Sequence, residues 1–176
     1  MSNQDDNVRS SDDATRVVVI RAATPGDASA LGRLGALLIR VHHEFDAARF
    51  IAPTASTESG YAGFLRSQLA KADAVILVAE RDGQVCGYAY GAIEGFDYMA
   101  LRGPAGVLHD LLVDETQRGH GIGGLLLDAA ISALQFKGAP RIVLSTAARN
   151  EHAQRLFASK GFRPTMIEMT REHDTI

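Results

Sequence analysis

The most constraining feature of this chain is a glycine-rich loop at residues 118–123, with the sequence Arg-Gly-His-Gly-Ile-Gly. An apolar run at 107–113 precedes the loop and an amphipathic segment follows it, so the pattern predicts a strand, a tight turn and a helix. Glycines let the main chain approach an anion closely, and the first N–H groups of a helix point toward such an anion. The loop therefore predicts a cradle for a phosphate or pyrophosphate group.

The glycine spacing fits two kinds of nucleotide site. Gly119, Gly121 and Gly124 satisfy the spacing G-x-G-x-x-G of a dinucleotide site. In that site the glycines come almost directly off the strand, and an acidic residue ends the next strand to hold a ribose. Here the segment Asp-Glu-Thr-Gln-Arg intervenes, and the next predicted strand, at 141–146, ends without an acid. These two departures disfavour the dinucleotide interpretation.

The second spacing is R-x-x-G-x-G, which Arg118, Gly121 and Gly123 satisfy. Another block follows at 150–162, with the sequence Asn-Glu-His-Ala-Gln-Arg-Leu-Phe-Ala-Ser-Lys-Gly-Phe. The two blocks resemble the signature motifs of the GCN5-related N-acetyltransferase (GNAT) family, and the resemblance extends over about 107–169. It implies an α/β (α+β) fold with a mixed, mostly antiparallel central sheet flanked by helices, and it implies acetyl-CoA as the cosubstrate.

The apolar pattern along the chain predicts the same order of elements. Residues 17–20 predict a buried strand, and the Asp-Gly pair within 81–84 predicts the turn of an antiparallel hairpin. The remaining predicted elements are helices from 24 to about 44 and near 58–71, strands at 74–80, 85–93 and 107–113, a helix ending at 137–138, a strand at 141–146, a short helix from 150 and a last strand near 165–169.

Length and composition limit the class of protein. Residues 16–176 are predicted to form one domain, large enough to bury roughly two thirds of its unfolded surface without disulfides. Residues 1–15 are polar and predict a disordered tail or an expression remnant. The single cysteine, Cys86, lies in an apolar stretch, which predicts a buried, inert thiol and is typical of a reducing cytoplasm.

The charge pattern and hydropathy also exclude some partners. A formal net charge of -3 without clustered Lys and Arg gives no reason to expect nucleic acid binding. No apolar run approaches the length of a membrane span, and no signal peptide pattern occurs at the N-terminus. We therefore expect a cytoplasmic protein without nucleic acid or membrane partners, while the sequence leaves open whether it is a monomer or a homodimer.

A cluster of polar residues at 42–46 is a candidate metal site only at first sight. His42 and His43 are adjacent, so their side chains diverge on a helix, and no histidine pair at i, i+4 or cysteine partner exists. We therefore predict a solvated helix end and no metal. In the GNAT family this segment borders the acceptor site, where the resemblance implies that acidic groups attract a cationic amine; the candidates are Glu44, Asp46, Glu94 and Asp97.

The resemblance assigns the acyl-CoA site to three segments of the chain. The loop would hold the pyrophosphate through its main chain, and the strand before it would pair with the pantetheine arm, with an amide near its end polarising the thioester carbonyl. Asn150 is predicted to cap a helix and also to hold the arm. The residues implied are Leu112, Val113, Arg118, Gly119, His120, Gly121, Ile122, Gly123, Gly124, Asn150 and Phe157.

The reaction needs a general base, because an amine is mostly protonated near pH 7 and only its neutral form attacks a thioester. Related enzymes often have a Glu on the central strand or its neighbour, and here that Glu is missing. Asp110 is the first candidate, His109 the second and Glu94 the third. Strict alternation would place His109 and Asp110 on opposite faces of the sheet, so that only one of them faces the site.

Phe157 is the main departure from the family pattern. A Tyr usually stands at this position, and its hydroxyl protonates the leaving thiolate, whereas Phe157 has no proton to give. Either Tyr88, Tyr90 or Tyr98 supplies the proton, or the thiolate leaves without help from the protein.

The sequence therefore predicts an N-acetyltransferase that moves an acetyl group from acetyl-CoA to a primary amine by direct attack in a ternary complex. Two alternatives stay open. The missing Tyr and Glu suggest a non-catalytic acyl-CoA-binding module, and the glycine triple suggests a nicotinamide-dependent oxidoreductase.

Overall fold

The structure is a computed structural model that describes residues 17–173, so the tail predicted at 1–15 lies outside the described residues. Within 17–173 the chain forms a five-stranded sheet with strand order β1-β2-β3-β4-β5 and four helices. The strands are β1 (Val18–Ala22), β2 (Ala74–Arg81), β3 (Gln84–Glu94), β4 (Ala105–Val113) and β5 (Ile142–Leu144), and the helices are α1 (Ala28–Phe45), α2 (Thr57–Gln68), α3 (Ile122–Phe136) and α4 (Glu151–Ser159).

The strand directions make the sheet mixed and mostly antiparallel. Strands β1 to β4 pair antiparallel in sequence order, and β5 pairs parallel with β4 after the α3 crossover. This arrangement confirms the predicted fold class. Within residues 17–173, no helix combines the length and the apolar composition that a bilayer crossing requires.

Helices cover both faces of the sheet and produce two hydrophobic cores. On one face, Leu31 and Leu34 of α1 and Leu65 of α2 are fully buried against β2, β3 and β4. On the other face, α3 and Phe157 of α4 pack against the same strands. Side chains alternate between the two faces along each strand, so the face on which a β4 residue lies decides which helices it meets.

Two short polar features fix the ends of elements. The turn between β2 and β3 has Asp82 at φ 53° and Gly83 at φ 74°, the left-handed backbone that the predicted Asp-Gly hairpin turn requires. Before α1, the carboxylate of Asp27 accepts hydrogen bonds from the Thr24 N–H at 2.7 Å and from Arg21 at 2.8 and 2.9 Å. The side chain of Asp27 thus fixes the geometry at which α1 begins.

Cys86 is buried, as predicted, and its Sγ donates to the carbonyl of Ala79 at 3.4 Å. Burial raises the pKa of this thiol, which favours the unreactive protonated form.

Three strand predictions need correction. The predicted strand at 165–169 is absent: residues 162–173 form no strand, and Met166, Ile167 and Met169 are 73%, 85% and 90% exposed. An apolar run becomes a strand only beside a strand that it can pair with, and β5 is too short to provide that edge. Strand β5 is also shorter than the predicted 141–146, because only residues 142–144 pair with β4. The first strand, predicted as buried, is the opposite edge of the sheet, where Val19 is 51% exposed.

Candidate active site

A β-bulge in the middle of β4 changes the direction of the two polar residues of that strand. Tyr90 of β3 pairs with Asp110, but the next residue, Gly91, pairs with Leu108, so His109 is an extra residue without a register partner. The extra residue breaks the alternation of side chains. His109 and Asp110 therefore line the same cavity, and the prediction that they lie on opposite faces is wrong.

Asp110 is a buried carboxylate held by two tyrosines. The Tyr61 hydroxyl of α2 donates to Asp110 Oδ2 at 2.5 Å, and the Tyr88 hydroxyl of β3 donates to the same oxygen at 3.0 Å. Burial raises the pKa of Asp110 above its ordinary value, although the two hydrogen bonds act in the opposite direction. A carboxylate with a raised pKa, held in one orientation, has the properties of a general base.

The two tyrosines hold the carboxylate through hydrogen bonds, but they are poor general acids. Burial raises the pKa of both hydroxyls, and the negative charge of Asp110 raises it further. A phenol with a raised pKa gives up its proton less readily. Tyr61 was not singled out from the sequence, because α2 and β4 are far apart along the chain.

His109 and Glu94 form a second polar group beside Asp110. His109 Nε2 lies 2.9 Å from Glu94 Oε1, and the His109 ring stacks on Tyr90 with 5.1 Å between ring centroids. Glu94 also accepts a hydrogen bond from Arg102 at 2.7 Å. The structure thus brings all three candidate bases into one region, but Glu94 is already paired with a cation and lies behind His109.

A cavity of about 180 Å³ adjoins Asp110, and we call it the α1–β4 cavity. It opens to solvent at its rim, where Ile51 is 71% exposed. Helix α1 contributes Leu38, Ile39 and His42 to its lining, the loop after α1 contributes Phe50 and Ile51, and β4 contributes His109 and Asp110.

His42, near the end of α1, lines this cavity, and both His42 and His43 are half-buried. Glu44 and Asp46 are exposed, so the predicted solvated helix end holds for these two residues and not for the histidines. His42 Nδ1 lies 2.9 Å from the Leu38 carbonyl, and its ring contacts Phe50 edge to face at 5.1 Å. His43 Nδ1 lies 3.0 Å from the Phe50 carbonyl. These contacts fix the loop after α1 against the helix. Among residues 17–173, no three His, Cys, Asp or Glu side chains are placed to hold a metal ion.

Three of the four acidic residues proposed to attract an amine already have hydrogen-bond or ion-pair partners. Glu44 is exposed, and Asp46 accepts hydrogen bonds from the main chain of Ala48 and Arg49. Glu94 and Asp97 both pair with Arg102, at 2.7 and 3.8 Å. Asp110 is therefore the carboxylate that lines the cavity itself.

The glycine loop has the backbone of an anion cradle. Gly119 and Gly121 have φ 83° and 77°, in the left-handed region, and Gly121 caps the N-terminus of α3. A Cβ at Gly124 would meet no atom within 4 Å, so packing within the chain does not require a glycine there. Arg118 Nε donates to the Val113 carbonyl at 3.1 Å, which ties the loop to the end of β4.

The edge of β4 next to this loop is open. Strand β5 pairs with β4 only from Gly106 to Leu108, and β5 ends at Leu144, whereas β4 continues to Val113. The main chain around Leu112 and Val113 therefore does not pair with β5. An extended ligand can pair with such an edge as an added strand.

Helix α4 borders the same region. The Asn150 side chain accepts from the Ala153 N–H at 3.1 Å, which confirms the predicted helix cap. A Cβ on Gly123 would lie 3.5 Å from Leu156 Cδ2, so the start of α3 lies against α4. Phe157 is 9% exposed and packs in the core, with its ring 6.0 Å from that of Phe162.

The three tyrosines proposed to replace the missing acid have other positions. The Tyr88 hydroxyl donates to Asp110, and the Tyr90 hydroxyl donates to Gln68 Oε1 at 3.2 Å. Tyr98 is 79% exposed in the loop between β3 and β4, at the opposite end of β4 from the glycine loop.

Comparison with known proteins gives both a sequence match and a fold match. The sequence model of the Acetyltransferase (GNAT) family matches residues 39–162. The uncharacterized N-acetyltransferase YhfO of Bacillus subtilis (strain 168) is 30% identical over 145 residues, which cover 81% of this chain and 88% of that protein.

Solved structures of similar fold cover nearly the whole chain. A mutant of the BH1408 protein of Bacillus halodurans has a TM-score of 0.74 at 23% identity, covering 88% of this chain and 99% of that one. A protein of Clostridium acetobutylicum described as a predicted acetyltransferase, solved with acetyl-CoA, has a TM-score of 0.65 at 22% identity, covering 88% of this chain and 96% of that one.

Proposed function

This chain belongs to the GNAT family of acetyltransferases, and we propose that it transfers an acetyl group from acetyl-CoA to the primary amine of an acceptor in a ternary complex. The observation that carries the proposal is the position of Asp110. It is a buried carboxylate on the wall of a cavity, on the same strand whose free edge leads into the glycine loop. A base, an acceptor cavity and a cradle for an anion thus meet along one strand.

The acyl-CoA site fits the residues that are present. The main chain from Gly119 to Gly124 offers N–H groups at the start of α3, where the helix dipole favours the negative charge of a pyrophosphate. The open edge of β4 at Leu112 and Val113 would pair with the pantetheine arm, and Asn150 would hold the arm from the side of α4. Acetyl-CoA supplies an activated acetyl thioester, from which coenzyme A leaves as a thiol.

Asp110 has the role of general base in this proposal. Its carboxylate accepts the proton of the ammonium group, and the neutral amine then attacks the thioester carbonyl directly, without a covalent enzyme intermediate. Tyr61 and Tyr88 orient the carboxylate through their hydroxyl groups. His109 is the second candidate for the base, and Glu94, which is paired with Arg102, is the third.

The membership of the family favours an acyl-CoA ligand for the glycine loop over a dinucleotide. Variants with matched backbone strain test this assignment. Gly121 and Gly83 have φ 77° and 74°, and a Cβ at either position would meet no atom within 4 Å. We expect Gly121→Ala and Gly83→Ala to lose similar stability, about 1 kcal/mol each.

Only Gly121→Ala is expected to lose affinity for acetyl-CoA, by about tenfold in titration calorimetry, because it changes the direction of the N–H groups at the start of α3. Arg118→Ala should weaken binding less, since charge is only part of the site. Equal affinities for the two glycine variants would contradict the cradle.

A non-catalytic acyl-CoA-binding module is the second candidate, and Phe157 is the observation that favours it. This side chain has no hydroxyl, and the raised pKa of Tyr61 and Tyr88 makes them poor acids. Release of free thiol from acetyl-CoA in the presence of amine panels separates the two functions. We expect turnover, because a thiolate is a fair leaving group without an acid.

Phe157→Tyr is expected to leave kcat unchanged or to raise it modestly, because it adds a hydroxyl where the family usually has one. Tyr98→Phe serves as the control for a tyrosine outside the site. If acetyl-CoA binds but no amine is acetylated by the wild type or by Phe157→Tyr, the binding module is the better assignment.

A further inference from the structure

We infer that the acceptor is a small primary monoamine with an apolar body, an alkylamine or an arylalkylamine, bound in the α1–β4 cavity. This inference rests on the proposed function, because it names the class of amine that the same site accepts. Three properties of the cavity support it: its volume, the chemistry of its wall and the charges at its rim.

The volume of the cavity suits one ring or a short alkyl chain. It measures about 180 Å³. An engineered cavity of about 150 Å³ lined by Leu, Ile and Phe is large enough to hold benzene. The body of an amine such as 2-phenylethylamine or hexylamine therefore matches the space next to Asp110, whereas an oligosaccharide would have to remain mostly outside.

The wall of the cavity has one anionic group. Leu38, Ile39 and Ile51 present only carbon atoms, and the ring of Phe50 closes the side toward the loop. The Asp110 carboxylate can accept one ammonium group, beside the position at which the acetyl group is transferred. A second ammonium group farther along the acceptor would find no second carboxylate in this lining, which is unfavourable. The two histidines of the lining, His42 and His109, each already contact an acceptor through one ring nitrogen, the Leu38 carbonyl and Glu94 respectively.

An ion pair lies beside Phe50, where a polyamine would need a free anion. The Arg49 guanidinium lies over the Phe50 ring, 5.0 Å from its centroid, and it also pairs with Glu168. Glu94, which contacts His109, is paired with Arg102. A cationic group that extends out of the cavity past Phe50 would thus meet Arg49 paired with Glu168, and Glu94 has a cationic partner as well.

A matched pair of acceptors tests the inference directly. Hexylamine and 1,6-diaminohexane have the same chain and differ only in a second ammonium group. We expect kcat/KM for hexylamine to exceed that for the diamine by at least about tenfold, although the diamine has two reactive ends. Equal values, or a preference for the diamine, would show that the wall does not select apolar bodies.

A variant that adds a carboxylate to the wall should reverse this selection. Ile51 lies at the exposed rim, so Ile51→Glu is not expected to disturb the core. We expect it to move the ratio of the two kcat/KM values by about tenfold toward the diamine. Phe136→Glu is the control, because Phe136 is 93% exposed at the end of α3, on the other face of the sheet, and should leave the ratio unchanged. An unchanged ratio in Ile51→Glu would exclude the cavity as the acceptor site.

A wider panel separates failure of this inference from failure of the proposed function. It contains spermidine, kanamycin, glucosamine 6-phosphate and a peptide with a free N-terminus. If one of these acceptors is acetylated with a higher kcat/KM than hexylamine and 2-phenylethylamine, the substrate class is wrong and the acetyltransferase function stands. If no amine releases thiol from bound acetyl-CoA, both the inference and the proposed function are wrong.

Discussion

Two carboxylates of this protein have nearly the same small exposed fraction, but their pKa values are shifted in opposite directions. Asp27, before α1, is 8% exposed, and Asp110, in the middle of β4, is 9% exposed. The guanidinium of Arg21 donates two hydrogen bonds to Asp27 and holds its pKa well below the usual range. Asp110 has only neutral tyrosine hydroxyls as hydrogen-bond donors, and burial raises its pKa. At Asp27 the cationic partner outweighs burial, whereas at Asp110, whose hydrogen-bond donors are neutral, burial has the largest influence.

This difference separates a structural carboxylate from a reactive one. Asp27 is ionised and fully engaged, since it also accepts from the N–H and the hydroxyl of Thr24. Asp110 keeps one oxygen beside a cavity, and its raised pKa makes it a better proton acceptor. Burying Asp110 without a cationic partner destabilises the folded state, and active sites often contain such destabilising groups because function requires them.

The largest expected effect is a loss of catalysis when Asp110 is changed. Asp110→Asn is nearly isosteric but cannot accept the ammonium proton. We expect kcat/KM to fall by about a hundredfold or more, with acetyl-CoA affinity nearly unchanged. Steady-state kinetics and titration calorimetry measure the two quantities. Asp27→Asn, the matched variant at the structural carboxylate, should keep kcat/KM near the wild-type value.

His109→Gln tests the neighbouring candidate base. If it shows the large loss and Asp110→Asn does not, the proton is accepted by His109, and the bulge matters because it brings this imidazole to the cavity. If neither variant is impaired, Glu94 is the remaining candidate.

The second-largest expected effect is a loss of stability when Asp27 is changed. Asp27→Asn breaks an ion pair in which Asp27 is buried, so we expect the free energy of unfolding to decrease by about 1 to 3 kcal/mol. This loss is smaller than for a fully buried pair, because the Arg21 side chain is 34% exposed and solvent screens the interaction. Urea denaturation at pH 7 measures this loss. Asp110→Asn should lose much less or gain stability, and a loss as large as that of Asp27→Asn would remove the distinction.

A smaller effect is expected from the tyrosines that hold Asp110. Tyr61→Phe removes a hydrogen bond that favours the ionised carboxylate and holds its orientation, so the pKa of Asp110 should rise further. We expect kcat/KM at pH 7 to fall by about tenfold, with the acidic limb of its pH profile moved to higher pH. Tyr88→Phe should act in the same direction.

Tyr98→Phe is the control for these variants, because Tyr98 is exposed and lies outside the site. A loss of kcat/KM in Tyr61→Phe with an unmoved pH profile would indicate a packing effect and not a positioning role.

The smallest expected effect is the pH dependence of stability, which should have opposite signs at the two positions. The folded protein binds a proton at Asp110 more tightly than the unfolded chain does, so this group lowers stability as the pH rises above its ordinary value of 3.8. The stability of Asp110→Asn relative to the wild type should therefore increase as the pH rises from about 4 toward the raised pKa of Asp110 in the folded protein.

Asp27 contributes stability above its ordinary pKa of 3.8, and that contribution is lost as the pH falls toward its lowered folded value. The deficit of Asp27→Asn should hence stay constant between about pH 4 and pH 7 and shrink below that window. Denaturant titrations of the three proteins from about pH 2 to pH 7 provide the measurement.

The local features of this molecule follow from the sequence alone. The glycine loop at 118–124, the Asp82–Gly83 turn and the cap at Asn150 depend on residues that are neighbours along the chain. Glycine and asparagine have conformational or hydrogen-bonding properties that act over a few residues, so their positions can be interpreted without knowing the fold. The absence of a hydroxyl at Phe157 is likewise a fact of the sequence.

The tertiary structure alone decided the geometry around Asp110. The bulge at His109 depends on how β4 aligns with β3, and a one-residue offset turns a polar side chain to the other face. The hydrogen bond from Tyr61 joins residues separated by 49 positions, and it exists because α2 packs across the sheet. Neither the offset nor that packing leaves a periodic signal in the sequence. Local chemistry therefore fixed the loop and the caps, whereas pairing between distant segments fixed the base, its partners and its cavity.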